Sequence, residues 1–193
     1  GSTASGYQAI ASADYSQSSG YKAIASGVES IAIGSSANAS GNDAQASGTY
    51  ATASGDYSTA SGTNAKAAGR FSQASGYSAT ASGIGSQASG YQANAAGDYS
   101  QALGYKAKAS FANSTAIGIG AKTTRANQIK LGRSNTEVTI SNLAKKGSKS
   151  QVYVKSDGTL IRSTSISYGL GASAHGESAT ANGTGALAAG NSA

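Results

Sequence analysis

The stretch GRFSQASGYSATAS, residues 69–82, decides the fold, because near-copies of it follow one another along most of the chain. Of the 17 positions reached in steps of seven from Gly6 to Gly118, fifteen are glycine; the exceptions are Ala13 and Phe111. Fixed self-similarity of this kind predicts a repeat architecture. A repeat protein presents a long regular surface, which favours a holding or binding role over catalysis. After an interruption the same period returns at Gly169, Gly176, Gly183 and Gly190.

Each seven-residue unit, counted from its glycine as position 0, alternates small residues with larger or polar ones. Position +5 is alanine in 15 of 16 units, and position +3 alternates between serine (S-type units) and alanine (A-type units), with Ala44 breaking the pattern. Alternation with period two is typical of a strand with two different faces, and glycine suits a sharp corner. The sequence therefore predicts an all-β, parallel β-solenoid of 14 residues per coil, with alanine and serine inside and coils about 4.8 Å apart.

The seven-residue periodicity argues against two alternatives to the solenoid. A disordered Gly/Ser/Ala-rich linker fits the composition, with 11% charged residues, but a linker has no reason to keep alanine at one phase. An α-helix is excluded because glycine at every seventh residue costs about 1 kcal/mol each relative to alanine.

An alanine and serine interior is poor in hydrophobic energy, since each buried methyl-sized group contributes only about 0.8 kcal/mol. We therefore expect one outer face to be covered by sister chains. The outward positions +4 and +6 of the S-type units carry no charge, whereas those of the A-type units include Lys66 and Lys108. Because buried charge is avoided, the S-type strands are the predicted interface. Its members would be Gln17, Ile31, Ile33, Gln45, Gln73, Gln87, Gln101, Leu103 and Ile117. The alternative is a fully exposed polar face.

Two segments, Ser30–Gly34 (SIAIG) and Ser114–Gly118 (STAIG), resemble the S-x-A-I-G core of the head repeats of YadA-like trimeric autotransporter adhesins. The resemblance covers roughly residues 4–120 and 169–193. It implies a left-handed parallel β-roll and a homotrimer with the S-x-A-I-G strand facing the axis. It also implies a place on the surface of a Gram-negative bacterium, in the extracellular part of an outer-membrane protein whose membrane anchor lies outside this segment. Most S-type units depart from the family by carrying Gln or Ser where Ile or Val is usual, and similar repeats occur in phage tail fibres.

The interruption divides the chain into three predicted parts: residues 1–120 as the head, 121–168 as a basic β insertion or connector, and 169–193 as resumed β-roll repeats. Strand-like alternation is present at Gln128–Leu131 and Glu137–Ile140. Asp157-Gly158 between two alternating runs predicts a hairpin. The expected apolar core of the insertion is Ile129, Leu131, Val138, Ile140, Val152, Val154, Leu160 and Ile161.

Two sets of residues are candidate ligand surfaces. Residues 121–168 hold nine basic and two acidic residues, and the basic ones include Lys145, Lys146 and Lys149. This basic segment could attract acidic glycans, nucleic acid or anionic lipid. The alternative is a solvated basic surface. Tyrosines at +1 of A-type units should stack into a ladder that is either an adhesive stripe or packing at the corner of the roll. They are Tyr7, Tyr21, Tyr77, Tyr91 and Tyr105; a second set, Tyr15, Tyr57, Tyr99 and Phe71, falls at +2 of S-type units.

No pattern of catalytic, cofactor or metal-binding residues is present. The chain has no cysteine and one histidine, His175, which fits an ordinary surface position. Gly169–Ala174 matches G-x-G-x-x-A but lies in the repeat without a following helix. We therefore expect no enzymatic activity and no cofactor.

Three functions remain as hypotheses. The first is a non-enzymatic adhesin head that attaches through many weak contacts, to extracellular-matrix proteins such as collagen if the resemblance extends so far; nucleic acid is not an expected partner. The second is a purely structural spacer in an adhesin stalk or phage tail fibre. The third, an ice-binding solenoid, needs a flat threonine array that Thr52, Thr59, Thr80 and Thr115 do not form.

Overall fold

A computed structural model describes residues 1–135 and, beyond them, the backbone of six short strands between residues 151 and 189. The chain divides into two compact units, Gly1–Val138 and Thr139–Ala193. The described part of the first unit is an all-β parallel solenoid of about nine turns without helix, as the glycine period predicts.

Two parallel sheets make the walls of the solenoid, and each strand pairs with the strand 14 residues away. The A-sheet holds the A-type strands Ile10–Ala11, Ile24–Ala25, Asn38–Ala39, Thr52–Ala53, Lys66–Ala67, Thr80–Ala81, Asn94–Ala95 and Lys108–Ala109. The S-sheet holds the S-type strands Thr3–Ser5, Gln17–Ser19, Ile31–Ile33, Gln45–Ser47, Thr59–Ser61, Gln73–Ser75, Gln87–Ser89, Gln101–Leu103 and Thr115–Ile117, followed by Ile129–Leu131.

The last strand of the S-sheet corrects one expectation. Ile129–Leu131 pairs with Thr115–Ile117 at the same 14-residue offset as every earlier coil, so the solenoid continues past the point where the glycine period ends. Ile129 and Leu131 were expected in the apolar core of an insertion, and that prediction is wrong: they are 72% and 45% exposed on the outer face. Lys130 lies between them and faces inward, at the position that Ala116 occupies in the preceding coil.

The interior is a column of small side chains, as predicted. Its buried residues are Ala23, Ala25, Ala32, Ala37, Ala39 and their equivalents in the later coils, up to Ala116 and Ala121. Serines at +3 of the S-type units are also buried, and the hydroxyls of Ser30, Ser58, Ser72 and Ser86 have no hydrogen-bond partner. Up to Ala116 this interior holds only alanine and serine, and Thr123 is the largest side chain buried in it. Its narrowness explains why positions +3 and +5 vary so little.

Corners between the two sheets explain the glycines. In most corners the amide of +3 donates to the carbonyl of position 0, as from Ser72 to Gly69 at 3.1 Å. At S-type corners the coils approach so closely that a β-carbon added to Gly69 would lie 2.0 Å from the carbonyl oxygen of Gly83. Position +2 adopts a left-handed backbone although it is rarely glycine, as in Tyr57 with a φ of 57°.

The second unit is described only through its strands. Gln151–Val154 pairs antiparallel with Leu160–Ser163, which confirms the hairpin predicted at Asp157-Gly158. Ile166–Tyr168 pairs in parallel with Thr180–Asn182, and Ser173–His175 with Leu187–Ala189, again at a 14-residue offset. The predicted strand Glu137–Ile140 lies outside the described residues, and the boundaries of the insertion stay a prediction.

Candidate functional site

The outer face of the S-sheet brings together all nine residues predicted at the interface. The strand registers align them in two rows, which places Gln17, Ile31, Gln45, Gln73, Gln87 and Gln101 in the row at +4 and Ile33, Leu103 and Ile117 in the row at +6. No charged side chain stands in either row. The face is therefore uncharged along its ten strands, as the sequence predicts.

Apolar residues gather at two places on this face. Ile31 and Ile33 lie near one end, and Leu103 and Ile117 lie near the other, with Ile33 51% and Ile117 40% exposed. Sequence reasoning missed that Ile129 and Leu131 extend the second group, because the seven-residue glycine run stops at Gly118; the signal that could have found them is Gly132, 14 residues later. Exposed aliphatic side chains in register on a flat, uncharged sheet are typical of a surface that another protein covers.

Between these groups the face is polar but internally ordered. The Gln87 side-chain amide donates to the Gln73 side-chain oxygen at 3.1 Å, across two adjacent coils. The remaining +6 positions of the central strands are serines. Such a row offers donors and acceptors without charge, so a partner could be held by hydrogen bonds or bridging water.

A cavity of about 410 Å³ opens where the S-sheet meets its S-type corners. Tyr15 and Glu29 line it from the corner, and Gln17 and Ile31 line it from the first row of the sheet. A smaller cavity of about 120 Å³ lies against Ile31, Ile33 and Gln17 on the sheet itself. Both lie at the end of the face where the first apolar group is found.

The predicted tyrosine ladder is present at the A-type corners. Tyr77, Tyr91 and Tyr105 stack with ring centroids 5.2 Å apart and planes within 8° of parallel, and Tyr7 stacks on Tyr21 at 5.5 Å. The ladder is interrupted where Ser35, Thr49 and Thr63 take its position. All five rings are between 42% and 66% exposed, so their edges and hydroxyls remain accessible in a single chain.

The second aromatic set forms a shorter stack at the S-type corners. Tyr57 and Phe71 lie 5.1 Å apart, and the Arg70 guanidinium lies 4.5 Å from the centre of the Phe71 ring. Sequence reasoning did not find this cation–π contact. At the A-type corners Lys22 and Lys106 lie over the tyrosine that precedes each of them, at 5.2 and 5.1 Å.

The acidic residues are confined to one of the two kinds of corner. All acidic residues of the first 135 positions stand in S-type corners: Asp14, Glu29, Asp43, Asp56 and Asp98. Asp56 and Asp98 accept hydrogen bonds from the backbone amides of Asn42 and Ile84 in the preceding coil, at 3.0 and 2.9 Å. The A-type corners carry Lys22, Lys106 and Arg133 and no acid.

The other candidate ligand residues, Lys145, Lys146 and Lys149, lie outside the described residues. In the part that the structure describes, no group of three or more His, Cys, Asp or Glu side chains is placed to hold a metal ion. The same part contains no helix long and apolar enough to span a bilayer.

A match to a protein-family model shows which family the chain belongs to. The model for the YadA head domain repeat (2 copies) matches residues 1–16, 18–37, 25–51, 39–55, 53–72, 74–93, 81–100 and 95–121, more than half of the chain in total. The chain belongs to the YadA head repeat family. Its matched range contains the S-sheet face up to Ile117 and both aromatic ladders.

A solved structure agrees with this assignment. The collagen-binding domain of the Yersinia adhesin YadA matches with a TM-score of 0.54 and 29% sequence identity, over 63% of this chain and 76% of that one. No curated protein sequence matches the chain. The YadA head repeats and this structural neighbour together support an adhesin-type function.

Proposed function

We propose that the chain is a head segment of a trimeric adhesin that holds a bacterial cell to host extracellular matrix or another surface. The uncharged S-sheet face carries the proposal, because it offers sister chains an apolar and hydrogen-bonding surface of ten strands in register. A cyclic trimer around that face would cover it and leave the A-sheets and the outer parts of the corners to a ligand.

Attachment in this proposal is multivalent and non-enzymatic. Each coil repeats the same outer positions about 4.8 Å from the last, and three chains triple the number of contacts. Weak contacts that act together raise the apparent affinity by factors of about 100 to 10,000. Collagen is the first ligand to test, because the similar YadA domain is described as collagen-binding; acidic glycans are the second. We place the segment on the cell surface, with its outer-membrane anchor in another part of the protein.

Trimer formation and attachment are tested together with one matched pair of variants. Ile33→Lys puts a charge on the S-sheet face, whereas Thr52→Lys puts the same charge on the A-sheet, in the column where Lys66 and Lys108 already stand. We expect Ile33→Lys to be monomeric by light scattering and to lose binding to immobilised collagen by at least about 100-fold. Thr52→Lys should remain trimeric. A monomeric parent chain would refute the assembly.

The second candidate function is a structural spacer. It is favoured by the uniformity of the coils, which keep one interior and one register through the described solenoid. A trimeric parent chain that binds neither collagen, acidic glycans nor bare plastic would support the spacer and refute the adhesive role of this segment.

A further inference from the structure

Positive charge alone stands on the A-side of the solenoid, which is the A-sheet together with its A-type corners. Among residues 1–135, the A-side carries six basic residues and no acidic one. Its basic residues are Lys22, Lys66, Lys106, Lys108, Lys122 and Arg133. An anionic molecule that approaches the A-sheet therefore meets no like charge on this side of the coils.

The charge is also graded along the solenoid. Residues 1–60 contain four acidic residues and one basic residue, whereas residues 104–135 contain six basic residues and no acidic one. These six are Lys106, Lys108, Lys122, Arg125, Lys130 and Arg133. The last coils that the structure describes are thus strongly positive, and most of that charge lies on the A-side.

Three lysines share one position of the A-sheet, and we call Lys66, Lys108 and Lys122 the lysine column. The strand registers align them through Thr80 and Asn94, and all three side chains are exposed. Lys108 and Lys122 stand in adjacent coils, whose backbones are about 4.8 Å apart. Like charges directly opposite each other on neighbouring strands destabilise a sheet. An anion bound between these two ammonium groups would relieve their repulsion.

The surface beside the lysine column is lined by small side chains. The neighbouring +6 column of the A-sheet consists of Ala68, Ser82, Ala96, Ser110 and Thr124. From Lys66 to Lys122 the lysine column spans four coils, or about 19 Å. A linear polymer could therefore lie along the column, with its charged groups on the lysines and its hydroxyls on the Thr80 and Asn94 side chains between them.

The aromatic rings next to the A-sheet favour a polysaccharide over a single-stranded nucleic acid, whose bases stack on exposed aromatic faces. Tyr91 lies between Tyr77 and Tyr105, with ring centroids 5.2 Å apart on both sides. The Lys106 ammonium lies 5.1 Å from the centre of the Tyr105 ring. These ring faces are already occupied. A polysaccharide with sulfate or carboxylate groups needs only cations and hydrogen-bonding groups, which this surface has.

We propose that the lysine column binds a linear acidic polysaccharide that lies parallel to the solenoid. This inference rests on the trimeric adhesin proposed above, in which the S-sheets face one another and the A-sheets face outward. Lys108 and Lys122 hold neighbouring anionic groups of the polymer, Lys66 holds a more distant one, and Lys106 adds charge at the adjoining corner. Three columns on one trimer act together and raise the apparent affinity.

Binding of the full chain to immobilised heparin, a densely sulfated polysaccharide, tests the lysine column. Lys108→Gln combined with Lys122→Gln removes the adjacent pair and leaves the S-sheet unchanged. We expect the affinity to fall at least about 10-fold at low salt, and to depend less steeply on salt concentration, because fewer counterions are released on binding. Neutral dextran should bind neither the parent chain nor the variant.

A matched pair of single substitutions adds a charge instead of removing one. Asn94→Lys extends the lysine column, and it breaks no hydrogen bond of the Asn94 side-chain oxygen, which has no partner. Asn113→Lys adds the same charge at an S-type corner with a φ of 53°, a backbone that Lys22 and Lys106 adopt at 52° and 54°. We expect Asn94→Lys to raise the affinity for heparin about 3-fold or more. Asn113→Lys should change it by less than about 2-fold, because salt screens exposed charges beyond about 8 Å.

The outcomes separate the lysine column from the adhesin itself. Weaker binding without the Lys108 and Lys122 charges, together with a larger gain from Asn94→Lys than from Asn113→Lys, supports the column. Equal gains, or a loss that follows only from replacing Lys145, Lys146 and Lys149 with glutamine, overturn it. A DNA duplex bound as tightly as heparin overturns the choice of a polysaccharide.

The parent chain's own behaviour completes the test. A trimeric parent chain that binds collagen but not heparin overturns the lysine column and leaves the adhesive role standing. A parent chain that is monomeric by light scattering, and whose binding to heparin still depends on Lys108 and Lys122, supports the column and refutes the trimer.

Discussion

Gly69→Ala tests whether close approach between coils, and not a special backbone angle, requires glycine at the S-type corners. Gly69 does not have the left-handed φ that marks the A-type glycines such as Gly76, at 128°. Its added β-carbon would lie 2.0 Å from the Gly83 carbonyl oxygen and 2.5 Å from the Gly83 carbonyl carbon. Side-chain carbons do not approach backbone this closely, so the backbone at the corner must shift to admit the methyl group.

Two hydrogen bonds cross this corner. The Gly85 amide donates to the Arg70 carbonyl at 2.8 Å, and the Ala68 amide donates to the Ala81 carbonyl at 2.9 Å. At the corner where Ala13 stands, the equivalent bonds are kept at 2.9 and 3.0 Å, so the added methyl group need not break them. The expected cost is that of overpacking a close contact, which lowers the free energy of unfolding by about 1–3 kcal/mol.

Chemical denaturation at a fixed protomer concentration measures this change, since the proposed assembly would also contribute to stability. Ser82→Ala is the control, because the same column of the A-sheet already carries alanine at Ala68 and Ala96; it should stay within about 0.5 kcal/mol of the parent. If Gly69→Ala also stays within that range, the coils tolerate a methyl group at the corner and the explanation of the glycine period is wrong.

Three further tests, with five substitutions, probe the interior and the corners. Ala67→Leu overfills a fully buried position and should lower the free energy of unfolding by about 3 kcal/mol; a smaller effect than that of Gly69→Ala would show that the interior is not tightly packed. Ser72→Ala should be neutral or stabilising because the buried Ser72 hydroxyl has no hydrogen-bond partner. Ser16→Ala loses a 2.7 Å hydrogen bond to a turn carbonyl and should lower the stability measured by thermal unfolding by about 1 kcal/mol. Equal effects of the two substitutions would contradict this difference. Asp98→Ala removes the acceptor of the Ile84 amide and should cost about 1 kcal/mol, which Asp98→Asn should largely recover.

Periodicity made the fold predictable. Alanine at +5 and Ser or Ala at +3 identified the buried positions, because the narrow interior is filled almost entirely by such small side chains. The absence of charge at +4 and +6 identified the outer face of the S-sheet. The tyrosine ladder was identified because its tyrosines share one position of the repeat. Each of these signals repeats in many coils, so single exceptions such as Ala44 did not obscure it.

Features carried by single residues were harder to foresee. The alternation at Gln128–Leu131 predicted a strand, but its place in the S-sheet was not predicted, because Lys130 stands at an alanine position and the only repeat signal beside it is Gly132, 14 residues after Gly118. The left-handed backbone at position +2 is set by the corner and is imposed on residues as different as Glu29 and Phe71. The contact between Arg70 and Phe71 depends on the path of one long side chain.

Because every coil has the same interior and the same register, neighbouring coils are interchangeable. Deleting or duplicating 14 residues joins Ala to Ala and corner to corner, and changes the length of the rod by about 4.8 Å without creating a new kind of contact. Slippage between near-identical stretches of the gene would thus yield shorter or longer rods that still fold. The length of the solenoid can vary in small steps while its cross-section stays the same.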